Sequence, residues 1–263
     1  YYALSEQRIP YMRDKSSDER FFILTLFCIV KELEKLPLNT ENAVFKIELP
    51  VGLPPKHYGA LHKKFRSYFM DRGRHTVTYN GKEYKLQIEN AATFPQDYAA
   101  AMTIFKQISG YSKVLTIDIG GFTLDYLLIK KGCPDLAVCD SLEKGVITLY
   151  NKIISRINAE YDILLEESDI DSIIGEEKTD YDKSVIRLVQ EMTKMYVDDI
   201  LGTLRERGLD LKTGCVVFIG GGSMLLRKYL EKSDKIGKSI FIEDICANAK
   251  GYKLLYQVQK KDR

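Results

Sequence analysis

The residues best suited to chemistry lie in Val114-Leu-Thr-Ile-Asp-Ile-Gly-Gly-Phe-Thr-Leu-Asp125. An apolar strand ends near one carboxylate, Asp118, and Gly120 and Gly121 then turn the chain. Glycine takes φ > 0 and lets backbone approach a ligand, so the amides of such a turn can face an anion. A carboxylate beside those amides is suited to hold a hydrated Mg2+ or to orient a water. A two-residue hairpin sets Asp118 opposite Thr123 and Thr116 opposite Asp125, with all four on one face by the period of two. The same residues also describe a plain Gly-Gly hairpin with an acid at its rim.

A second stretch is Val216-Val-Phe-Ile-Gly-Gly-Gly-Ser-Met-Leu225. A buried strand meets Gly220, Gly221 and Gly222, and the spacing predicts a helix starting near Ser223. Helix N-termini attract phosphate through their N–H groups and macrodipole, and three glycines let a flat base or ribose lie against backbone. The pattern is not G-x-G-x-x-G, and no G-x-x-x-x-G-K-[ST] occurs, which excludes a P-loop. By itself this stretch also fits a close-packed strand–helix turn.

Other candidates carry less. Asp169 and Asp171, with Glu166, Glu167 and Glu176, suggest calcium, but Ile173 takes a ligand position and Gly175 is misplaced for an EF-hand. His57, His62 and His75 lack metal spacing and read as solvated residues of a basic face. Cys133 and Cys139 have no base nearby, and three histidines in one segment make no Ser/His/Asp triad.

The elements that must position these residues follow from pattern. Ser16-x-x-Glu19 has capping-box spacing ahead of an almost wholly apolar helix, Asp18 to Leu36, which is expected to be deeply buried. Pro37 ends it. A strand over 43–49, a loop over 50–55 and a helix over 56–70 come next. Asn80-Gly81 then marks a hairpin. A helix is expected over 97–108, another over 146–161, and a striped one over 184–207 capped by Gly208. A last helix spans about 248–258. Strands and helices intermix, so the class is α/β or α+β.

Composition agrees with a globular chain: 263 residues, 45% hydrophobic and 29% charged. Lys and Arg total 39 against 37 acids, which suggests neither a nucleic-acid binder nor an acidic tail. The chain is nevertheless basic from Lys56 to Lys85 and acidic from Tyr161 to Asp182. These read as solvated faces, or as contact surfaces. The longest apolar run, Phe21 to Val30, is too short to span a bilayer. Five cysteines without a C-x-x-C pair read as reduced thiols.

The two glycine motifs lie in this order about a hundred residues apart. Together they resemble the ATPase superfamily of actin, Hsp70 and the sugar kinases, whose ribonuclease-H-like domains clamp ATP between two glycine hairpins. Within it the chain is most similar to the bacterial plasmid-segregation actins, the ParM family. Phe94-Pro-Gln-Asp-Tyr-Ala-Ala-Ala101 resembles that family's stretch before the interdomain helix, and Asn248-Ala-Lys-Gly-Tyr252 its returning C-terminal helix. The resemblance implies an α/β, actin/Hsp70-type fold with two lobes around a nucleotide cleft. Residues 1–110 would be the remainder of the first domain, 111–245 the second, and 246–263 a helix returning to the first.

The resemblance also implies roles. Gln96 would position the attacking water and Asp118 would be the Mg2+-linked carboxylate. Gly120, Gly121 and Thr123 would contact phosphate, and Gly220, Gly221, Gly222 and Ser223 would form the adenosine loop. Lys144 and Gly145 would start the nucleotide-side helix. The cofactors would be ATP and Mg2+. The partners would be further copies in a filament and a DNA-bound adaptor protein, with no membrane and no direct specific nucleic-acid binding, in the cytoplasm. The family's first phosphate loop, of Asp-x-Gly type, has no match before Ser16, and the first residue is Tyr1 rather than Met. The chain is therefore expected to be N-terminally incomplete. The function expected is an ATP-hydrolysing, polymerising protein of plasmid or mobile-element DNA segregation. The alternatives are a small-molecule kinase with Asp125 as base, a nuclease using Asp118 and Asp125 as metal carboxylates, and a non-catalytic scaffold.

Overall fold

A computed structural model describes residues 2–5, 8–10, 12, 14–37 and 43–261; Tyr1 lies outside them. The first sheet holds β1 (Val44–Leu53), β2 (Arg74–Tyr79) and β3 (Lys82–Pro95) in the order β1-β3-β2. Asn80 and Gly81 both have φ > 0, and Tyr79 pairs with Lys82, as a two-residue hairpin turn requires. β1 runs parallel to β3 and continues through Pro50, where a loop was expected. β1 is an edge strand, so the missing proline N–H need not cost a ladder bond.

The helices α1 (Glu19–Glu34) and α2 (Pro55–Met70) pack on this sheet through Phe22, Leu53, Phe65, Phe69 and Ile88. Two expectations for α1 fail. Asp18, not Ser16, caps it, accepting the Arg20 N–H at 2.7 Å. Ser16 instead donates to Asp14 within the 3-10 turn η1 (Lys15–Ser17). Nor is α1 deeply buried. Of its residues only Phe22 and Val30 are, because it packs over one sheet and leaves its outer apolar face half-exposed.

The second sheet has the order β6-β5-β4-β7-β8. Its strands are β4 (Lys113–Ile119), β5 (Leu124–Lys130), β6 (Cys133–Leu142), β7 (Cys215–Ile219) and β8 (Lys238–Phe241). β4, β5 and β6 form an antiparallel meander, and β4, β7 and β8 run parallel. Alternation sorts the central strands between two cores. Leu115, Ile117, Ile119, Val216 and Phe218 pack with α5 (Val146–Tyr161), α6 (Glu167–Ile174) and α7 (Lys183–Glu206). Val114, Val217 and Ile219 pack with α3 (Tyr98–Met102), α4 (Phe105–Ile108) and the start of α10 (Ala247–Lys261). Period two therefore puts Asp118 on the face of Val114, toward α3 and α10.

The single helix expected over 97–108 is split into α3 and α4. After β7 come α8 (Gly221–Leu225) and α9 (Arg227–Glu231), so the helix begins within the glycines rather than at Ser223. Of the acids of the calcium candidate, Glu166 and Asp169 form a reciprocal capping box at the start of α6, and Glu176 lies beyond its end. α10 crosses to the first sheet. Tyr252 stacks on Phe94 at 6.5 Å between ring centroids, and Asn90 donates to the Tyr256 hydroxyl at 2.9 Å. Among the described residues no helix is long and apolar enough to cross a membrane.

Candidate functional site

β4 and β5 join through Gly120 to Thr123, closed by the Gly120 N–H donating to the Thr123 carbonyl at 2.9 Å. Asp118 pairs with Asp125, and Ile119 with Leu124, which corrects the pairing expected of a two-residue hairpin. The difference is a shift of two residues, so every side chain keeps its face. Asp118 and Asp125 are thus direct neighbours on the α3/α10 side.

The wider loop has a physical cause in α5. Its first amides have no partner within the helix. They are satisfied by the loop: Gly145 N–H donates to the Phe122 carbonyl at 3.1 Å, Val146 to Gly120 at 3.0 Å and Ile147 to Gly121 at 3.0 Å. In a trans peptide the N–H lies opposite the C=O. The peptides that aim these three carbonyls at α5 therefore aim the N–H groups of Gly121, Phe122 and Thr123 away from it. Those residues line a cavity of about 270 Å³ with Lys15, His57, Gln96 and Asp125. A second cleft of about 360 Å³ lies on the other side of Gly121, lined by Gly120, Val146, Gly221 and Gly222.

Three glycines are required by close approach. A Cβ on Gly145 would stand 2.2 Å from the Gly121 carbonyl oxygen. One on Gly222 would meet the Ile119 carbonyl oxygen at 2.7 Å. Gly220, at φ +86°, lies beneath Asp118, whose Oδ1 would be 2.2 Å from an added Cβ. The parallel β4–β7 pair thus seats the second glycine turn against Asp118 and Ile119, the residues that lead into the first.

Three acids meet here. Burial, then the charge of Asp125, pushes the Asp118 carboxyl up to about 7, while a hydrogen bond from Asn248 opposes the rise. Asp125 is raised by burial, against the pull of Ser141, Thr123, His57 and Lys15. Its Oδ2 accepts from the Thr123 hydroxyl at 2.9 Å, and its buried Oδ1 has no hydrogen-bond partner among the described residues. Asp97 is 1% exposed and its Oδ2 also has no partner among the described residues. Burial raises it well above the usual carboxylate range, helped by Asp118 and Asp125. Burial lowers the Lys15 ammonium, against the pull of Asp125.

Asp97 also carries backbone strain. Its φ and ψ are +58° and −55°, and the Tyr98 N–H returns to the Gln96 carbonyl. This is a γ-turn of the rare hand, costing about 1–3 kcal/mol. The Asp97 N–H donates to Asn248 Oδ1 at 3.0 Å.

Of the residues singled out from sequence, the structure gathers Gln96, Asp118, Gly120, Gly121, Thr123, Gly145, Gly220, Gly221 and Gly222 around the two clefts. Lys144 turns aside to Asp199 and Thr203 of α7, at 2.6 and 2.9 Å. Ser223 is fully buried beneath the turn, its Oγ without a partner among the described residues. Sequence reading missed Asp97, Lys15 and Asn248, and it mistook His57, which is 6% exposed beside Asp125, for a solvated residue. Asp97 alone had a local signal, as the acid between Gln96 and an alanine helix. Among the described residues no three His, Cys, Asp or Glu side chains are grouped to ligate a metal directly.

Residues 116–232, which contain both glycine turns, match a family model described as archaeal actin homologue MreB-like, C-terminal. Comparison with curated proteins gives no significant match. Among solved structures, the archaeal actin homologue Ta0583 superposes with a TM-score of 0.75 at 20% identity, over 98% of this chain and 82% of that one. The same homologue is known in complex with ADP. The apo ParM protein of pSK41 gives 0.69 at 14% identity, over 96% and 74% of the two chains. The Alp12 filament structure gives 0.60 at 17% identity, over 90% and 75%. At such identities the likeness is one of fold: the chain has the actin-like fold.

Proposed function

We propose that this chain binds ATP with Mg2+ between its two glycine turns, hydrolyses it, and polymerises into filaments that segregate plasmid or mobile-element DNA through a DNA-bound adaptor. The observation that carries this reading is Asp118 seated on Gly220, with the amides of Gly121, Phe122 and Thr123, which line the first cleft, turned away from α5. Phosphoryl transfer to water depends on positioning and charge neutralisation rather than on covalent chemistry. The amides of Gly121, Phe122 and Thr123 would cradle phosphate, with Lys15 adding a cation. Gly220 to Gly222 would take the adenosine side, and Gln96 would orient the attacking water.

Buried acids with unpartnered oxygens suit a divalent cation held through its water shell. Asp118, aided by Asp125 and Asp97, would hold it, and bound there it would supply charge neutralisation to the phosphates. The two lobes would be 1–110 and 111–245, joined by the 246–263 helix, and the protein would act in the cytoplasm. Nucleotide complexes and filaments of proteins with this fold support the reading.

The test is light scattering and electron microscopy of the purified chain with ATP-Mg2+. Nucleotide-dependent filaments are expected, and their absence with ATP, ADP and no nucleotide alike would sink the polymerising role. The unpartnered Asp125 Oδ1 also keeps a small-molecule kinase in view, with Asp125 as base. ATP-dependent phosphorylation across a sugar panel decides that alternative.

A further inference from the structure

Two side chains on one edge of α10 reach the groups on which the proposed hydrolysis depends. Asn248 and Tyr252 are four residues apart and share a helix face. Asn248 Oδ1 accepts the Asp97 N–H at 3.0 Å. A backbone N–H only donates, so this bond fixes the orientation of the amide and leaves its NH2 near Asp118, whose charged form it favours. The buried Tyr252 hydroxyl lies beside the Gln96 side chain, which eases its ionisation. That hydroxyl lies over Gly52 of β1, where a Cβ would come within 2.1 Å of it. Between the two, Gly251 seats on the Ala99 carbonyl, whose oxygen would be 1.9 Å from an added Cβ. Helix α10 has no room to slide on α3.

Neither polar contact is needed to dock the helix. Ring stacking of Tyr252 on Phe94, the Asn90–Tyr256 hydrogen bond and the Lys260–Glu48 ion pair at 2.7 Å already hold it. We infer that Asn248 and Tyr252 are positioning residues. The first turns of α10 set Asp118 relative to the strained γ-turn that carries Gln96, and so hold the hydrolytic geometry without touching nucleotide. The kinetic consequence rests on the ATPase reading above; the geometry does not.

The experiment compares Asn248→Ala, Asn248→Asp, Tyr252→Phe and Lys260→Ala in the full chain. ATP affinity, single-turnover hydrolysis and hydrogen exchange of the Asp97 amide without nucleotide are measured. Asn248→Asp keeps the acceptor for the Asp97 amide but sets a carboxylate against Asp118. Tyr252→Phe removes only the hydroxyl. Both are expected to slow hydrolysis by about tenfold to a hundredfold while ATP affinity stays within about threefold. Lys260→Ala should hydrolyse like wild type. Asn248→Ala should speed exchange at Asp97 by roughly tenfold, and Asn248→Asp should not.

Wild-type hydrolysis in both Tyr252→Phe and Asn248→Asp overturns the positioning role, as does a loss of ATP affinity equal to the loss of rate. Unchanged exchange at Asp97 in Asn248→Ala overturns the geometry itself. If the wild-type chain binds no ATP, the ATPase reading falls, and the exchange result alone decides the link between α10 and Asp97. If Asn248→Ala does not fold, exchange at Asp97 in Asn248→Asp decides, with protection supporting the link and its loss refuting it.

Discussion

Replacing Gly145 by alanine tests whether α5 holds the phosphate-facing turn. The added Cβ would stand 2.2 Å from the Gly121 oxygen and 2.5 Å from the Phe122 carbonyl carbon, where ordinary contact begins at 3.4 Å. These are backbone atoms with no rotamer to yield, so the loop must recede by about an ångström. Three hydrogen bonds from α5 to the loop, at 3.0–3.1 Å, are stretched together. With each worth about 1 kcal/mol net and overpacking added, the loss of stability should be about 2–4 kcal/mol. Urea unfolding reads this as a lower midpoint at unchanged slope. The recession also carries the cavity-facing amides away from an anion, and ATP affinity should fall by about tenfold or more. Gly202→Ala, in the penultimate turn of α7 with no described atom within 4 Å of its Cβ, serves as control and should gain about 0.5–1 kcal/mol. A Gly145→Ala protein within about 0.5 kcal/mol of wild type, with unchanged ATP affinity, would refute the reasoning.

Other outcomes follow from the same geometry. The Asp118 carboxyl titrates near 3.8 when unfolded and at about 7 when folded, so the stability it allows is full below about pH 4 and falls as pH rises to 7. Asp118→Asn removes that fall. Its advantage over wild type in thermal unfolding should grow from pH 5 to pH 7 while hydrolysis is lost, and a constant difference would contradict the raised pKa. Asp97→Gly relieves a positive φ and removes a buried unpaired acid, so it should stabilise the nucleotide-free protein by about 1–3 kcal/mol, read by calorimetry. Gly221→Ala meets no atom within 4 Å and lines the second cleft, so unfolding should be unchanged or slightly later while titrated ATP affinity drops.

Much of the fold was legible because it is written in local pattern. Asn80-Gly81 gave its hairpin, the 146–161 helix has the expected bounds, and the 184–207 stripe differs from α7 by one residue at each end. β6, β8 and α6 went unread: the edge strands are half-exposed without a clean alternation, and α6 spans only two turns. The glycine turns and Asp118 were visible as a motif, but the loop length was not. It is set by amides of residues 145–147, which lie far along the chain. The γ-turn at Asp97 is held by Asn248, 151 residues away, and no window of sequence contains both. Lys15 and His57 reach the cleft through η1 and α2, which only tertiary packing brings together.

The most direct test of the central claim is calorimetric titration of the chain with ATP-Mg2+. One saturable site per chain is expected, strongly weakened in Gly145→Ala and in Asp118→Asn. No binding by the folded wild type, or wild-type affinity in both variants, would contradict a nucleotide site between the two glycine turns.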